Sequence, residues 1–312
     1  LSVLPHLNYK AWFALAEFVD NSIQSSVNNR DKLDRLVGGK FKLRVDIDLN
    51  SNDNLIIIKD NAAGISQSDY ERAFRTAEVP PNSKGLSEFG MGMKSASFWF
   101  AKNWQVKSSA LGEDEERIIS FDMEKIVAGS VEILPVNSTI IEPEAHFTEV
   151  HLENIRRFPK GKTIAKIKEH LSNIYRVFMR NDEIELFLDG EQLKFGEPKV
   201  LHAPTYKKVG GKVIVEDPKV DWITEIKIDL GEGKSAGGFV ALRETGNTRL
   251  AGLAMFRRNR LIFGSADETY RPEDIFGRGN SFASQRLFGE IHLEGFTVPH
   301  TKDGIQWEDD EI

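Results

Sequence analysis

The chain has 312 residues, a net charge of −7, 40% hydrophobic and 29% charged residues, and no cysteine. That composition excludes disulfides, thiolate nucleophiles and Cys-ligated zinc, and the acidic balance excludes a generically basic nucleic-acid binder. The length suits two domains of ordinary size. No apolar run reaches the roughly eighteen residues of a membrane helix, and no secretory leader pattern opens the chain, so no membrane partner is expected.

In chain order, Tyr9–Ser26 reads as a helix. Its apolar residues Phe13, Ala16, Val19 and Ile23 recur at three- and four-residue spacing, and Asn28-Asn29 ends it. Lys42–Asn50 alternates apolar and polar residues as a half-buried strand, and Leu55–Lys59 pairs back on it across the Asn52-Asp53 turn. Ser68–Thr76 reads as helical. Glu78–Phe89, with Pro80-Pro81 and Gly85, reads as a loop, and Gly90–Phe100 as a glycine-rich turn entering an apolar helix. Strands are expected at Trp104–Ser108, Glu116–Asp122 and Thr148–Leu152. Ile164–Met179 reads as one long amphipathic helix. Beyond it the pattern is β-rich, with strands at Ile184–Leu188, Thr224–Leu230, Gly238–Arg243, Leu253–Arg257 and Phe288–Leu293. The domain boundary is placed near Phe158–Lys162, giving domains 1–160 and 161–312.

Four separated segments carry the chemistry. On the first helix, Glu17, Asp20 and Asn21 project from nearly one face, so a carboxylate can deprotonate water while a carboxamide oxygen faces a magnesium ion. After the Leu55–Lys59 strand comes Asp60-Asn61-Ala62-Ala63-Gly64. A carboxylate there can accept a hydrogen bond from an exocyclic amine, and the small residues let a flat ring approach the backbone. Gly90-Met91-Gly92-Met93-Lys94-Ser95 opens a helix, where backbone N–H groups, a lysine and a hydroxyl suit anionic oxygens. It has neither Walker A spacing nor the third glycine of a dinucleotide fingerprint. Thr148 heads a strand, where its hydroxyl can support a buried carboxylate. Taken singly, each segment reads equally as a solvated helix face, an ordinary turn or a strand end.

The order and spacing of the four together resemble the GHKL (Bergerat-fold) ATPase superfamily of gyrase B, heat-shock chaperones, histidine kinases and MutL. Within it, Gly90–Ser97, Asn259-Arg260-Leu261-Ile262 and Val298-Pro299-His300-Thr301-Lys302 resemble microrchidia (MORC)-type ATPases. Two positions depart from the pattern: Ala62 stands where relatives have glycine, and Phe147 precedes Thr148 where relatives often have glycine.

The resemblance implies an α+β fold, with an α/β-sandwich ATP-binding domain followed by a β-rich transducer domain that has a mixed sheet and helices. It implies ATP and Mg²⁺ as cofactors, Glu17 as general base and Asn21 as magnesium ligand. Asp60, with Gly64 and Thr148, would hold the adenine, and Gly90, Gly92, Met93, Lys94 and Ser95 the phosphates. The loop of about Glu78–Phe89 would be a lid, and Lys302 would reach the γ-phosphate from the second domain. The implied activity is ATP hydrolysis driving nucleotide-dependent homodimerisation, with DNA as the client and an intracellular location, cytoplasmic or nuclear. Alternatives are a chaperone-like ATPase with protein clients and a non-hydrolysing scaffold. A histidine kinase is disfavoured, because no helical hairpin bearing a phosphoacceptor histidine precedes the pocket. The seven histidines show no zinc spacing.

Overall fold

The computed structural model describes residues 9–74, 85–86, 92–128, 134–264, 267–279, 281–298 and 304. Gly90, Lys302 and all of the expected lid except residues 85–86 lie outside the described residues. The chain divides into two compact units, Leu1–Ser172 with Arg176–Lys194, and Asn173–Tyr175 with Phe195–Ile312.

The first part of the chain runs α1 (Ala11–Asn28), α2 (Arg30–Val37), β1 (Leu43–Asn50), β2 (Leu55–Asp60), α3 (Gln67–Phe74) and α4 (Gly92–Phe100). It continues with β3 (Ala101–Ser109), β4 (Glu115–Asp122), α5 (Met123–Val127), β5 (Val136–Ile140) and β6 (Phe147–Ile155). Then follow α6 (Lys162–Ile174), α7 (Arg176–Arg180), β7 (Ile184–Leu188) and β8 (Glu191–Gln192). The described strands form one mixed sheet in the order β5-β4-β3-β6-β2-β1-β7-β8. The β1–β7 pairing is parallel.

Alternation along the strands decides which face is buried. Val45, Ile47, Ile56, Ile58, Val106, Leu152 and Leu186 are buried, while intervening residues such as Arg44 and Lys59 reach solvent. α1 is buried along most of its length, with Leu15, Ala16 and Val19 fully enclosed. Its Tyr9 end meets Trp99 of α4 edge-on, and Trp12 stacks on His170 of α6 at 4.1 Å between ring centroids. Helix α1 is thereby held between two other helices, which fixes the direction of its polar residues.

The second part contains β9 (His202–Val209), β10 (Lys212–Asp221), β11 (Ile223–Gly231), β12 (Lys234–Leu242), β13 (Gly252–Arg257) and β14 (Arg260–Phe263). It ends with α8 (Glu273–Phe276), α9 (Phe282–Arg286) and β15 (Leu287–Glu294). β11-β12-β15-β13-β14 form a mixed sheet around a core that includes Leu253, Met255, Phe276, Ile291 and Leu293. Among the described residues, β9 and β10 pair only with each other.

The α+β architecture and the β-rich second unit agree with the sequence reading. The division does not fall at 160/161. β7 pairs with β1 so that Leu186 lies opposite Val45, and the first unit extends to Lys194. The expected boundary followed the change in composition, which precedes this last sheet pairing. The expected helix over 164–179 is split at Tyr175. Ile174 and Phe178 keep a four-residue spacing across the break, so periodicity cannot reveal it. Helix α2 was not anticipated, because Leu33 is its only buried residue. β5 was also missed, because all five of its residues are exposed and show no alternation of burial. Among the described residues no helix is long and apolar enough to cross a membrane.

If β7 belongs to the first unit's core, Leu186→Ala leaves a cavity against β1. A loss of about 2–5 kcal/mol is expected in urea unfolding, with no change in denaturant slope.

Candidate functional site

Against α1 lies a cavity of about 420 Å³, within the size range of small-molecule sites. Asn21, Asp60, Gly64, Gly92, Met93, Lys94 and Thr148 all line it. Elements far apart in sequence therefore converge: α1, the end of β2, the turn after it, the first turn of α4, and the start of β6.

Asp60 is buried and lines the cavity. The Ser22 hydroxyl, 2.6 Å from Asp60 Oδ2, donates to it, and the Ala62 and Thr148 N–H groups donate to Oδ1 at 2.9 and 3.3 Å. Burial pushes the Asp60 carboxyl up to about 6, because the three hydrogen bonds and nearby His146 only partly offset the loss of solvation. The expected supporting group on Thr148 was its hydroxyl. That hydroxyl lies 3.3 Å from Ser108 Oγ, and the contact to Asp60 comes from the Thr148 backbone.

The turn after β2 is fixed from several sides. Ser108 Oγ accepts from the Ile65 N–H at 3.0 Å and donates to the Phe147 carbonyl at 2.8 Å. His146 Nδ1 lies 2.9 Å from the Ala62 carbonyl. Gly64 has φ +71°, and a Cβ there would lie 1.9 Å from the Ser109 carbonyl oxygen, so only glycine fits. Ala62 does not take a positive φ. Its replacement of the expected glycine is therefore compatible with this turn.

Polar and cationic groups also line the cavity. Asn21 and Lys94 line it, beside Gly92 and Met93. Glu17 is buried and does not line the cavity. It lies directly against the first turn of α4, where a Cβ on Gly92 would be 1.9 Å from Glu17 Oε2. Ser95 is buried in α4 outside the lining, and Asp20 is fully buried in α1. Gly90 and Lys302 lie outside the described residues.

Ser22, Ser108 and Arg72 received no role from the sequence. Arg72 lines the cavity, with its Nη2 2.8 Å from Asp69 Oδ1. Burial raises the Asp69 carboxyl, but Arg72 and Ser66 outweigh it and hold it below its usual range. Ser22 had a legible signal: it is one residue past Asn21 and so on the same end of α1. Ser108 had none, because only the β3–β6 register brings it beside Thr148.

Asp60 gives a signed pH dependence. Its carboxyl titrates near 6 when folded and near 3.8 when unfolded, so the native state holds the proton more tightly. Stability should fall by on the order of 3 kcal/mol as pH rises from about 4 to about 6, and then level off. Asp60→Asn keeps the two backbone hydrogen bonds on its carbonyl oxygen and removes the titration. Its unfolding free energy, measured across that window, should lose this contribution to the slope.

Residues 9–155 match the family model for histidine kinase-, DNA gyrase B- and HSP90-like ATPases. The fold is similar to the crystal structure of the ATPase region of Saccharomyces cerevisiae topoisomerase II. That similarity has a TM-score of 0.54 at 12% identity and covers 94% of this chain and 76% of that one. The same yeast region bound to ICRF-187 (dexrazoxane) gives a TM-score of 0.52 at 12% identity, over 94% and 77% of the two chains. Among curated proteins, none matches this sequence. Over residues 9–155 this chain is thus similar to the histidine kinase-, DNA gyrase B- and HSP90-like ATPases, and a β-rich unit follows in the chain.

Proposed function

We propose that this chain hydrolyses ATP with magnesium, and that nucleotide binding closes two copies into a MORC- or MutL-like clamp acting on DNA. One observation carries the ATPase reading. One cavity is lined by a buried, hydrogen-bonded carboxylate together with Asn21, Gly92 and Lys94, and Glu17 packs against Gly92.

In this reading Asp60 accepts a hydrogen bond from the adenine amine. Ser22 and the Ala62 and Thr148 N–H groups hold its carboxylate in place. Gly64 lets the turn lie close to β3, which leaves space for the flat ring. The N–H groups of the first turn of α4 and the Lys94 ammonium face the phosphates. Glu17 takes a proton from the attacking water. The resemblance alone assigns Lys302 to the γ-phosphate, and Gly90 to the phosphates.

Magnesium fits this donor set. Among the described residues no group of three or more His, Cys, Asp or Glu side chains could hold a metal. A protein that uses magnesium through substrate phosphates needs only one or two ligands of its own, and Asn21 supplies a neutral oxygen to the cavity. Bound there, the ion neutralises charge on the phosphate oxygens. The missing Cβ of Gly92 is what allows Glu17 to lie so close to the first turn of α4.

The test is steady-state ATP hydrolysis by wild type and Glu17→Ala, with binding of a non-hydrolysable analogue measured on both. Wild type should turn over. The variant should bind within a few-fold of wild type and lose about 10²-fold or more in rate, as expected for removal of a general base. Asp60→Asn should weaken adenine-nucleotide binding, because its carboxamide NH₂ faces a donor. Absence of nucleotide binding by wild type would sink the reading. Analogue-dependent dimerisation, followed by light scattering, tests the clamp.

A further inference from the structure

The hairpin β9–β10 stands out in the second unit. Among the described residues, its two strands pair with each other and with no third strand. Its base is pinned: the Trp222 indole N–H donates to the Ala203 carbonyl at 3.2 Å, and His202 Nδ1 lies 2.8 Å from Asp221 Oδ1. Every residue from 206 to 215 is exposed. An isolated two-stranded hairpin is only marginally stable in water, so an exposed, apolar one is costly unless it serves as a contact surface.

That stretch reads Tyr206-Lys207-Lys208-Val209-Gly210-Gly211-Lys212-Val213-Ile214-Val215, with three lysines and no acid in a chain of net charge −7. Lys207 pairs with Glu216 at 2.9 Å. Lys208 and Lys212 make no ion pair among the described residues. Directly opposed residues of an antiparallel pair share a face. The register opposes Lys208 to Val213 and Tyr206 to Val215 on one face, and Lys207 to Ile214 and Val209 to Lys212 on the other. The lysines therefore point to both sides of the ribbon. Tyr206, Val213 and Val215, 57, 62 and 58% exposed, line the face that carries Lys208.

We propose that the tip of this hairpin is a docking element for double-stranded nucleic acid. A two-stranded ribbon fits the DNA major groove. Entering tip first, it presents a lysine-bearing face to each phosphate wall, and Tyr206 and the valines meet the apolar parts of the groove. Charge complementarity selects this partner: three lysines without an intervening acid match a polyphosphate, which binds by counterion release. The inference rests on the clamp reading for its client and is independent of the ATP pocket.

The experiment is fluorescence anisotropy of a labelled 30-base-pair duplex with the full chain between 50 and 200 mM salt. It compares wild type, Lys207→Ala/Lys208→Ala/Lys212→Ala, and the corresponding Lys→Arg triple variant. Melting temperature and ATP-analogue binding are measured alongside. Loss of three phosphate contacts should reduce the slope of log affinity against log salt by about 2.7, and lower affinity at 50 mM salt by at least ten-fold. The Lys→Arg variant should bind like wild type, which separates lost charge from lost folding. The proposal is overturned by no duplex binding by wild type, by equal slopes for wild type and the alanine variant, or by an equal loss from replacing Lys40, Lys125 and Lys166. Salt-insensitive binding or self-association through Tyr206 and Val213 also overturns it, in favour of a protein partner. If wild type binds the analogue but not the duplex, the hairpin inference fails and the ATPase reading stands. If it binds the duplex but not the analogue, the ATPase reading fails and the hairpin inference stands.

Discussion

A carboxylate held inside the protein constrains the candidate site more than any other feature. Asp60 ends β2 away from water and is held by donors from three other places: the Ser22 hydroxyl on α1, the Ala62 N–H in its own turn, and the Thr148 N–H on β6. A buried carboxylate without such donors would be far more costly. Each donor is set by a different structural device: helix packing for Ser22, turn geometry for Ala62 and strand register for Thr148. Even with all three, burial keeps the group near pH 6. Its acceptor capacity is therefore retained under strain, and a ligand donating to it would relieve that strain.

The second constraint is distance. Helices α1 and α4 approach until the first turn of α4 touches the Glu17 carboxylate, which a Cβ at Gly92 would prevent. The turn after β2 lies equally close to β3 through Gly64. Two glycines that line the cavity thus allow two close approaches. The aromatic contacts of α1, Tyr9 against Trp99 and Trp12 against His170, hold that helix in the position the Gly92 approach needs.

The site was legible in the sequence wherever chemistry and local spacing coincide. Glu17 and Asn21 are four residues apart on one helix. Asp60 follows a buried strand, and Gly92 and Lys94 open a helix. Arg72 was not legible, because a charged residue on a helix of mixed polarity looks like any solvated one. Ser108 was not legible because its partner Thr148 is forty residues away and meets it only through sheet pairing. The same limitation misplaced the domain boundary. The β1–β7 pairing joins residues about 140 positions apart, and no local pattern encodes it.

By itself, the sequence determined the α+β class, the positions of most of the buried helices and strands, and seven residues that line the cavity. Each of these follows from local periodicity, turn chemistry or the spacing of reactive groups within one element. Only the tertiary structure decided which backbone N–H groups reach Asp60, that Ala62 is tolerated in the turn, where the first unit ends, and that the 206–215 hairpin stands exposed. These depend on hydrogen bonding and burial between distant segments. Such contacts arise only when the chain closes on itself, and no window of neighbouring residues contains them.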